Sequence, residues 1–116
     1  MVSKFQSLKK NGQFQSVYRQ GISKANRCFA MIVKENGLSH NRIGISVSKK
    51  VGNSIVRHRV TRVIREVVRL HWEDIKQGYD IVIVARVAAK ESVYTKFESA
   101  IMHLLELHRL LEDDSV

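Results

Sequence analysis

The chain has 116 residues and carries 20 Lys and Arg against 11 Asp and Glu, a formal net charge of +9, with one cysteine and no proline. This length suits one domain with a single modest core, and the absence of proline or biased tracts excludes a rigid linker or low-complexity tail. Cys28 alone excludes an internal disulfide or a thiolate metal cluster and fits a reducing cytoplasm, while no apolar run approaches the ~20 residues of a spanning helix. The first residues, Met1-Val2-Ser3-Lys4-Phe5-Gln6, lack the apolar core of a signal peptide.

Charge is unevenly spread. Residues 1–69 hold 15 Lys and Arg against only Glu35 and Glu66, whereas residues 70–116 hold 5 against 9 acidic residues. A polyanion is therefore expected on the surface built by the first 69 residues, away from the last helix and its Glu112-Asp113-Asp114 end.

Residues 1–10 are polar and basic and read as an extended arm or loosely packed lead-in. Asn11 is placed to cap a helix of about two turns through Gln20, with Gly21 as its left-handed C-terminal residue. On that helix Phe14 and Tyr18 are four apart and share a face, with Val17 beside them. From Ser23 the pattern turns extended. Residues 27–33 form a continuous apolar run after Arg27, which suits a strand covered on both sides or lining a cleft. Residues 35–41, with Asn36 and Gly37, predict a loop closing a hairpin onto a second strand over 43–48, whose Ile43, Ile45 and Val47 share one face opposite small residues.

Next comes a helix beginning at Ser54 and running to about Trp72 or Ile75. On a 3.6-residue wheel, Val56, Val60, Val63, Ile64, Val67 and Leu70 fall on one side and His58, Arg59, Arg62, Arg65 and Arg69 on the other. Glu66 is the only carboxylate in the run, so most of these arginines need an anion from outside. The loop before the helix is also basic: Lys49 and Lys50 precede Gly52, expected to take a positive φ, and Asn53, a good N-cap. Free N–H groups and the positive end of the helix dipole then point where two lysines stand, an arrangement suited to phosphate. An ordinary surface helix can carry a solvated basic face. Five arginines and two lysines within 21 residues, almost without counter-charge, point instead to nucleic acid.

Gly78 breaks the chain before residues 79–85, the clearest strand, so that strand, helix and strand imply a parallel pair joined by the arginine helix. A long amphipathic helix follows from near Ser92, with Phe97, Ile101, Leu104, Leu105, Leu107, Leu110 and Leu111 as its apolar positions and Thr95 with Glu98 as a possible capping box. The order is αββαβα, an α+β sandwich with a small mixed sheet and one domain over 1–116. Catalytic and metal-ligating groups are not expected: His103 and His108 are five apart and fall on different helix faces, and no carboxylate cluster or Ser/His/Asp arrangement is present.

The segment Lys49-Lys50-Val51-Gly52-Asn53 with Arg57-His58-Arg59, Arg62 and Arg65 resembles the signature of the bacterial ribonuclease P protein component. Lys9-Lys10-Asn11-Gly12-Gln13-Phe14, Ala25-Asn26-Arg27, the approach from Ile43 to Lys50 and Ile83-Val84-Ala85-Arg86 agree with it, so the resemblance covers nearly the whole chain. It implies a small basic subunit bound one to one to a catalytic RNA, which, with its Mg²⁺ ions, removes the 5′ leader from precursor tRNA. The resemblance places Lys49, Lys50, Asn53, Arg57, His58, Arg59, Arg62, Arg65 and Arg69 against the catalytic RNA. It places Phe14, Tyr18 and the first-strand position Ile32 in a cleft for the single-stranded leader. Lys24 and Arg27, beside the cleft strand and with few carboxylates nearby, read as phosphate contacts rather than ion pairs. Three positions depart from the family pattern: Ile32 replaces an aromatic, His58 an asparagine and Thr61 a lysine. The family's strand–helix–strand crossover is left-handed, where chain sterics alone predict a right-handed one in about 98% of cases. A ribosomal or other structural RNA-binding protein is the alternative that the basic helix alone would also serve.

Overall fold

The computed structural model describes residues 7–8, 10–91 and 93–112. Helix α1 spans Asn11–Gln20, followed by strands β1 at Ile22–Ala25, β2 at Phe29–Glu35 and β3 at Arg42–Ser46. Helix α2 spans Ser54–Leu70, β4 Tyr79–Ala85 and α3 Tyr94–Leu107, with short 3₁₀ turns at Trp72–Asp74 and Val87–Glu91. The strands form one mixed sheet in the order β1-β2-β4-β3, in which β4 lies antiparallel to β2 and parallel to β3. The α+β, single-domain architecture with a mixed sheet and a parallel pair bridged by the arginine helix is the one expected.

Alternation along β4 decides the layers. Ile81 and Ile83 join Phe29, Met31, Val33 and Ile43 on the face covered by α2 and α3, where Val60, Ile64, Val67, Phe97, Ile101 and Leu104 complete the main core. Val82 points the other way and packs with Ile32, Val17 and Leu8 beneath α1. Each such aliphatic side chain contributes roughly 1.5–3 kcal/mol when fully buried, so the α2/α3 side supplies most of the stability. The α1 side closes on Gly44, where a Cβ would stand 2.7 Å from the Phe14 ring. Glycine there lets the ring lie directly on the sheet.

The sheet differs from expectation in two connections. β3 does not pair with β2, because β4 inserts between them. β4 is apolar on both faces and β3 on one, so the central position belongs to β4. The loop over 35–41 still turns as its residues suggest, with Gly37 at φ 72 and Asn36 Oδ1 accepting the Leu38 N–H at 2.7 Å. The hairpin partner of β2 is instead β1, all four residues of which are exposed, so an edge strand exists where no apolar alternation announced one.

Several local expectations also give way. Gly21 is extended at φ −85, because the chain passes straight from α1 into β1; its lack of a side chain serves close approach to Ile32 and to the Val17 carbonyl. Gly37 and Gly78 are the positive-φ glycines among the described residues, so Gly52 is not left-handed; a Cβ there would meet the Val56 side chain at 2.7 Å. Lys10, rather than Asn11, caps α1, its N–H donating to Gln13 Oε1 at 3.1 Å. Leu70 is 56% exposed and Val68 buried in its place, while Trp72 seals the end of α2. α3 stops at Leu107, and Arg109, at φ 59, turns the chain so that Leu110 enters the core from beyond the helix. Its N-cap is Val93 without a side-chain bond, so Thr95 makes no capping box. Residues 1–6 and Lys9 of the expected arm, Ser92, and Asp113 and Asp114 of the acidic end lie outside the described residues.

His108, at the C-cap of α3, bonds through Nε2 to the Met31 carbonyl of β2 at 2.9 Å. Burial pushes its imidazole below the ordinary value; the bond to Met31 opposes this and the Lys24 charge adds to it. The unfolded chain therefore takes up this proton first, near pH 6.5, and the stability associated with His108 is lost as pH falls from there through the lower folded value. Urea titrations at pH 7.5 and 5.5 should show a smaller loss for His108→Gln than for the natural chain. Equal losses in the two proteins would assign the acid sensitivity to other groups.

Candidate nucleic-acid interface

The loop into α2 and the helix itself form one rigid cationic unit. Asn53 caps the helix through a 3.0 Å bond from the Val56 N–H to its Oδ1, and Val60, Ile64, Val67 and Val68 anchor the opposite side in the core. His58, Arg62, Arg65 and Arg69 are exposed, whereas Arg57 and Arg59 are half-buried. Their partners divide them. Arg69 bonds Glu66 with both Nη2 at 2.6 Å and Nε at 3.3 Å. Arg57 donates to the Gly52 carbonyl at 3.3 Å and Arg59 to the Lys90 carbonyl at 2.7 Å, contacts that hold loops without neutralising charge. Arg62 and Arg65 have no hydrogen-bond or ion-pair partner among the described residues, and Lys49 and Lys50 stand exposed at the head of the helix.

Between these side chains runs a shallow groove of about 580 Å³ lined by Ile55, His58, Arg59, Thr61, Arg62 and Arg65. No carboxylate lines it among the described residues. Ile55, 77% exposed, gives the groove an apolar patch. Its spacing of three and four residues before His58 and Arg59 is the signal that puts it on their face.

The second candidate region lies on the α1 side of the sheet. Phe14 is half-buried over Gly44, and its ring centroid is 6.4 Å from that of Tyr18 at an interplanar angle of 45°. Tyr18 is 41% exposed and is the more available aromatic surface. Ile32, at 7% exposure, is spent on packing against Val17 beneath the helix and presents little surface of its own. Beyond it the strands offer small or half-buried residues, Ala25, Ala30, Val84 and Ser46, on a strip that the short helix leaves open. Arg27 is exposed in the β1–β2 turn.

Lys24 does not join this group. It pairs with Met31, whose side chain belongs to the α2/α3 core, so strand alternation puts Lys24 on the opposite face from Phe14, near His108. Lys34, which the sequence did not single out, takes the α1 side and bonds Ser16 Oγ at 2.8 Å.

Two carboxylates of the sheet and α3 are held by partners of their own. Asp80, nearly buried, takes both Nε and Nη2 of Arg42 at 2.8 and 2.7 Å and Asn36 Nδ2 at 3.0 Å. Burial pushes its carboxyl up, but the bonds from Arg42 and Asn36 and the charges of Arg42 and Lys34 together hold it below the usual carboxylate range. Glu98 faces His71 at 2.6 Å on the α2 side of α3. Among the described residues no cluster of three or more His, Cys, Asp or Glu side chains is arranged to hold a metal ion, and no helix is long and apolar enough to cross a membrane.

A family model described as Ribonuclease P matches residues 2–109. The chain belongs to the ribonuclease P protein family. It is 53% identical over 106 residues to the ribonuclease P protein component of Lachnoclostridium phytofermentans, covering 91% of each chain, and 48% identical over 104 residues to that of Alkaliphilus metalliredigens, covering 90% of this chain and 94% of the relative. Among solved structures, the Staphylococcus aureus RNase P protein superposes with a TM-score of 0.87 at 36% identity over 94% of this chain and all of that one. The Thermotoga maritima RNase P protein gives 0.82 at 25% identity over 88% of this chain and 96% of that one. Family membership makes this chain a protein component of ribonuclease P, and it extends over the cationic helix, the aromatic α1 and the mixed sheet alike.

The partner pattern separates structural from available arginines. Arg42→Ala would strand a nearly buried carboxylate and should cost about 2–3 kcal/mol, whereas Arg62→Ala or Arg65→Ala should stay within about 0.5 kcal/mol. Guanidinium denaturation of the three variants checks this; a large loss at Arg62 would mean that its side chain serves the fold.

Proposed function

We propose that this chain is the RNA-binding subunit of the ribonuclease P ribonucleoprotein, holding the catalytic RNA through α2 and the loop before it and guiding the 5′ leader of precursor tRNA along the α1 side of the sheet. The observation that carries the reading is that, among the described residues, Arg62 and Arg65 have no hydrogen-bond or ion-pair partner and no carboxylate lines the groove beside them, on a helix whose other face is locked in the core. Guanidinium groups on a rigid frame suit RNA phosphates, which position a complex without reading its sequence. The exposed Tyr18 ring beside Phe14 suits stacking by a single-stranded base, worth roughly 1–3 kcal/mol per base.

In this reading hydrolysis of the phosphodiester belongs to the RNA and the Mg²⁺ ions it binds. The protein's contribution is electrostatic and geometric: it offsets repulsion between two polyanions and orients the leader relative to the RNA's active centre. One protein per catalytic RNA in the cytoplasm is the expected assembly.

Reconstitution with a cognate catalytic RNA at low Mg²⁺ should raise precursor-tRNA cleavage; no gain would leave the alternative, a structural RNA-binding protein without a role in cleavage. Arg62→Ala and Arg65→Ala should each lower the slope of log affinity against log salt by about 0.9 or somewhat less, an effect absent if the face is merely solvated. Tyr18→Ala should weaken binding of leader-bearing precursor by roughly fivefold or more while leaving mature tRNA unchanged, as measured by competition; equal losses would remove Tyr18 from the leader path.

A further inference from the structure

The β1–β2 turn and the outer side of α3 enclose a second pocket, of about 380 Å³, lined by Cys28, Thr95, Lys96, Ser99, Ala100 and His103. No carboxylate lines it among the described residues. Asn26 sets its chemistry. Its Oδ1 accepts the N–H groups of Cys28 at 3.1 Å and Phe29 at 3.0 Å, so its NH₂ points the other way, to the Ala100 carbonyl at 2.9 Å and to His103 Nδ1 at 3.3 Å. An amide NH₂ only donates, so Nδ1 is the acceptor and the neutral His103 ring carries its proton on Nε2. The pocket therefore combines a ring N–H donor, the hydroxyls of Thr95 and Ser99 and the Lys96 ammonium.

Cations continue from this pocket to α2. The Asn26 carbonyl accepts from Arg86 Nη1 at 2.8 Å, which holds a guanidinium beside the turn that carries the exposed Arg27. Arg86 leads directly into the 3₁₀ turn Val87–Glu91, whose Lys90 carbonyl holds Arg59 of α2. Arg59 and Arg86 both bond to backbone carbonyls, which leaves their charges available. The acidic residues of α3 lie elsewhere: Glu98 faces His71, and Glu106 lines a separate depression with Arg109 and Glu112. Among the described side chains, the last third of the chain, negative as a stretch of sequence, presents cations at this end of the sheet.

We propose that the pocket on α3, together with Arg27 and Arg86, is a second phosphodiester-binding site that extends the RNA path from α2 around the end of the sheet. The proposal rests on the reading that the chain binds RNA. The backbone phosphate it takes belongs to the catalytic RNA or to precursor tRNA, and the two sources separate by experiment.

Lys96→Ala, His103→Ala and His103→Gln, with Lys76→Ala as control before the opposite end of β4 and Arg62→Ala as reference, are titrated against salt in two arms: protein onto catalytic RNA, and assembled ribonucleoprotein onto precursor tRNA. In the arm that supplies the phosphate, Lys96→Ala should lower the salt slope by about 0.9 or somewhat less and weaken binding by about threefold to tenfold near 0.15 M salt. His103→Ala should weaken binding with its slope unchanged, because a neutral donor is lost, and His103→Gln, which keeps an N–H near Nε2, should restore it. Lys76→Ala should match the natural chain. If Lys96→Ala and His103→Ala match the natural chain in both arms while Arg62→Ala loses slope, the second site is refuted and RNA binding by α2 stands. If Arg62→Ala also changes nothing, the RNA-binding reading fails with it.

Discussion

Everything in this fold depends on burying both faces of β4. Its alternating Ile81, Val82 and Ile83 are each almost fully covered, which requires a layer on each side of the sheet. α2 and α3 form the thicker layer and α1 the thinner one. Because α2 buries Val60, Ile64, Val67 and Val68 in that core, its polar side faces outward as a rigid surface. Because α1 is only ten residues long, it leaves part of the opposite face uncovered. The cationic groove and the aromatic strip are thus two consequences of one central strand.

The arginines of α2 are not equivalent, although they look so in sequence. Arg69 is matched by Glu66, Arg57 and Arg59 steady the loops at either side of the helix, and Arg62 and Arg65 have no hydrogen-bond or ion-pair partner among the described residues. A bond from an arginine to a carbonyl fixes position and keeps the full positive charge, so a loop can be organised without weakening the field that attracts a polyanion. The same device recurs at Arg86, whose bond to the Asn26 carbonyl ties the β1–β2 turn to the end of β4.

Polar side chains do the remaining work of joining layers. Asn26 links the β1–β2 turn to α3, and Asn41, fully buried, donates to the Lys76 carbonyl and accepts from the Tyr79 N–H, which fixes the start of β4 against β3. Asp80 is the one buried carboxylate among the described residues, and with Arg42 and Asn36 around it, its oxygens are taken up by the sheet. Each of these groups would be costly to leave unmatched, so each specifies a connection as well as strengthening it.

The sequence by itself determined the features set by short-range periodicity and by charge: the two-faced α2 with its Asn53 cap, the β4 run, the α+β class and the basic first half. It could not determine what depends on neighbours distant along the chain. β1 has no apolar alternation, so only its pairing with β2 makes it a strand; β4 took the place between β2 and β3 because covering two apolar faces outweighs the short loop that favoured a hairpin. Lys24 and Lys34 differ in placement through strand parity, which turns one toward α3 and the other toward α1. The grouping of Lys96 with Arg27 and Arg86 likewise comes from the fold, since net charge along a segment does not say which side chains fold together and which are neutralised by partners elsewhere.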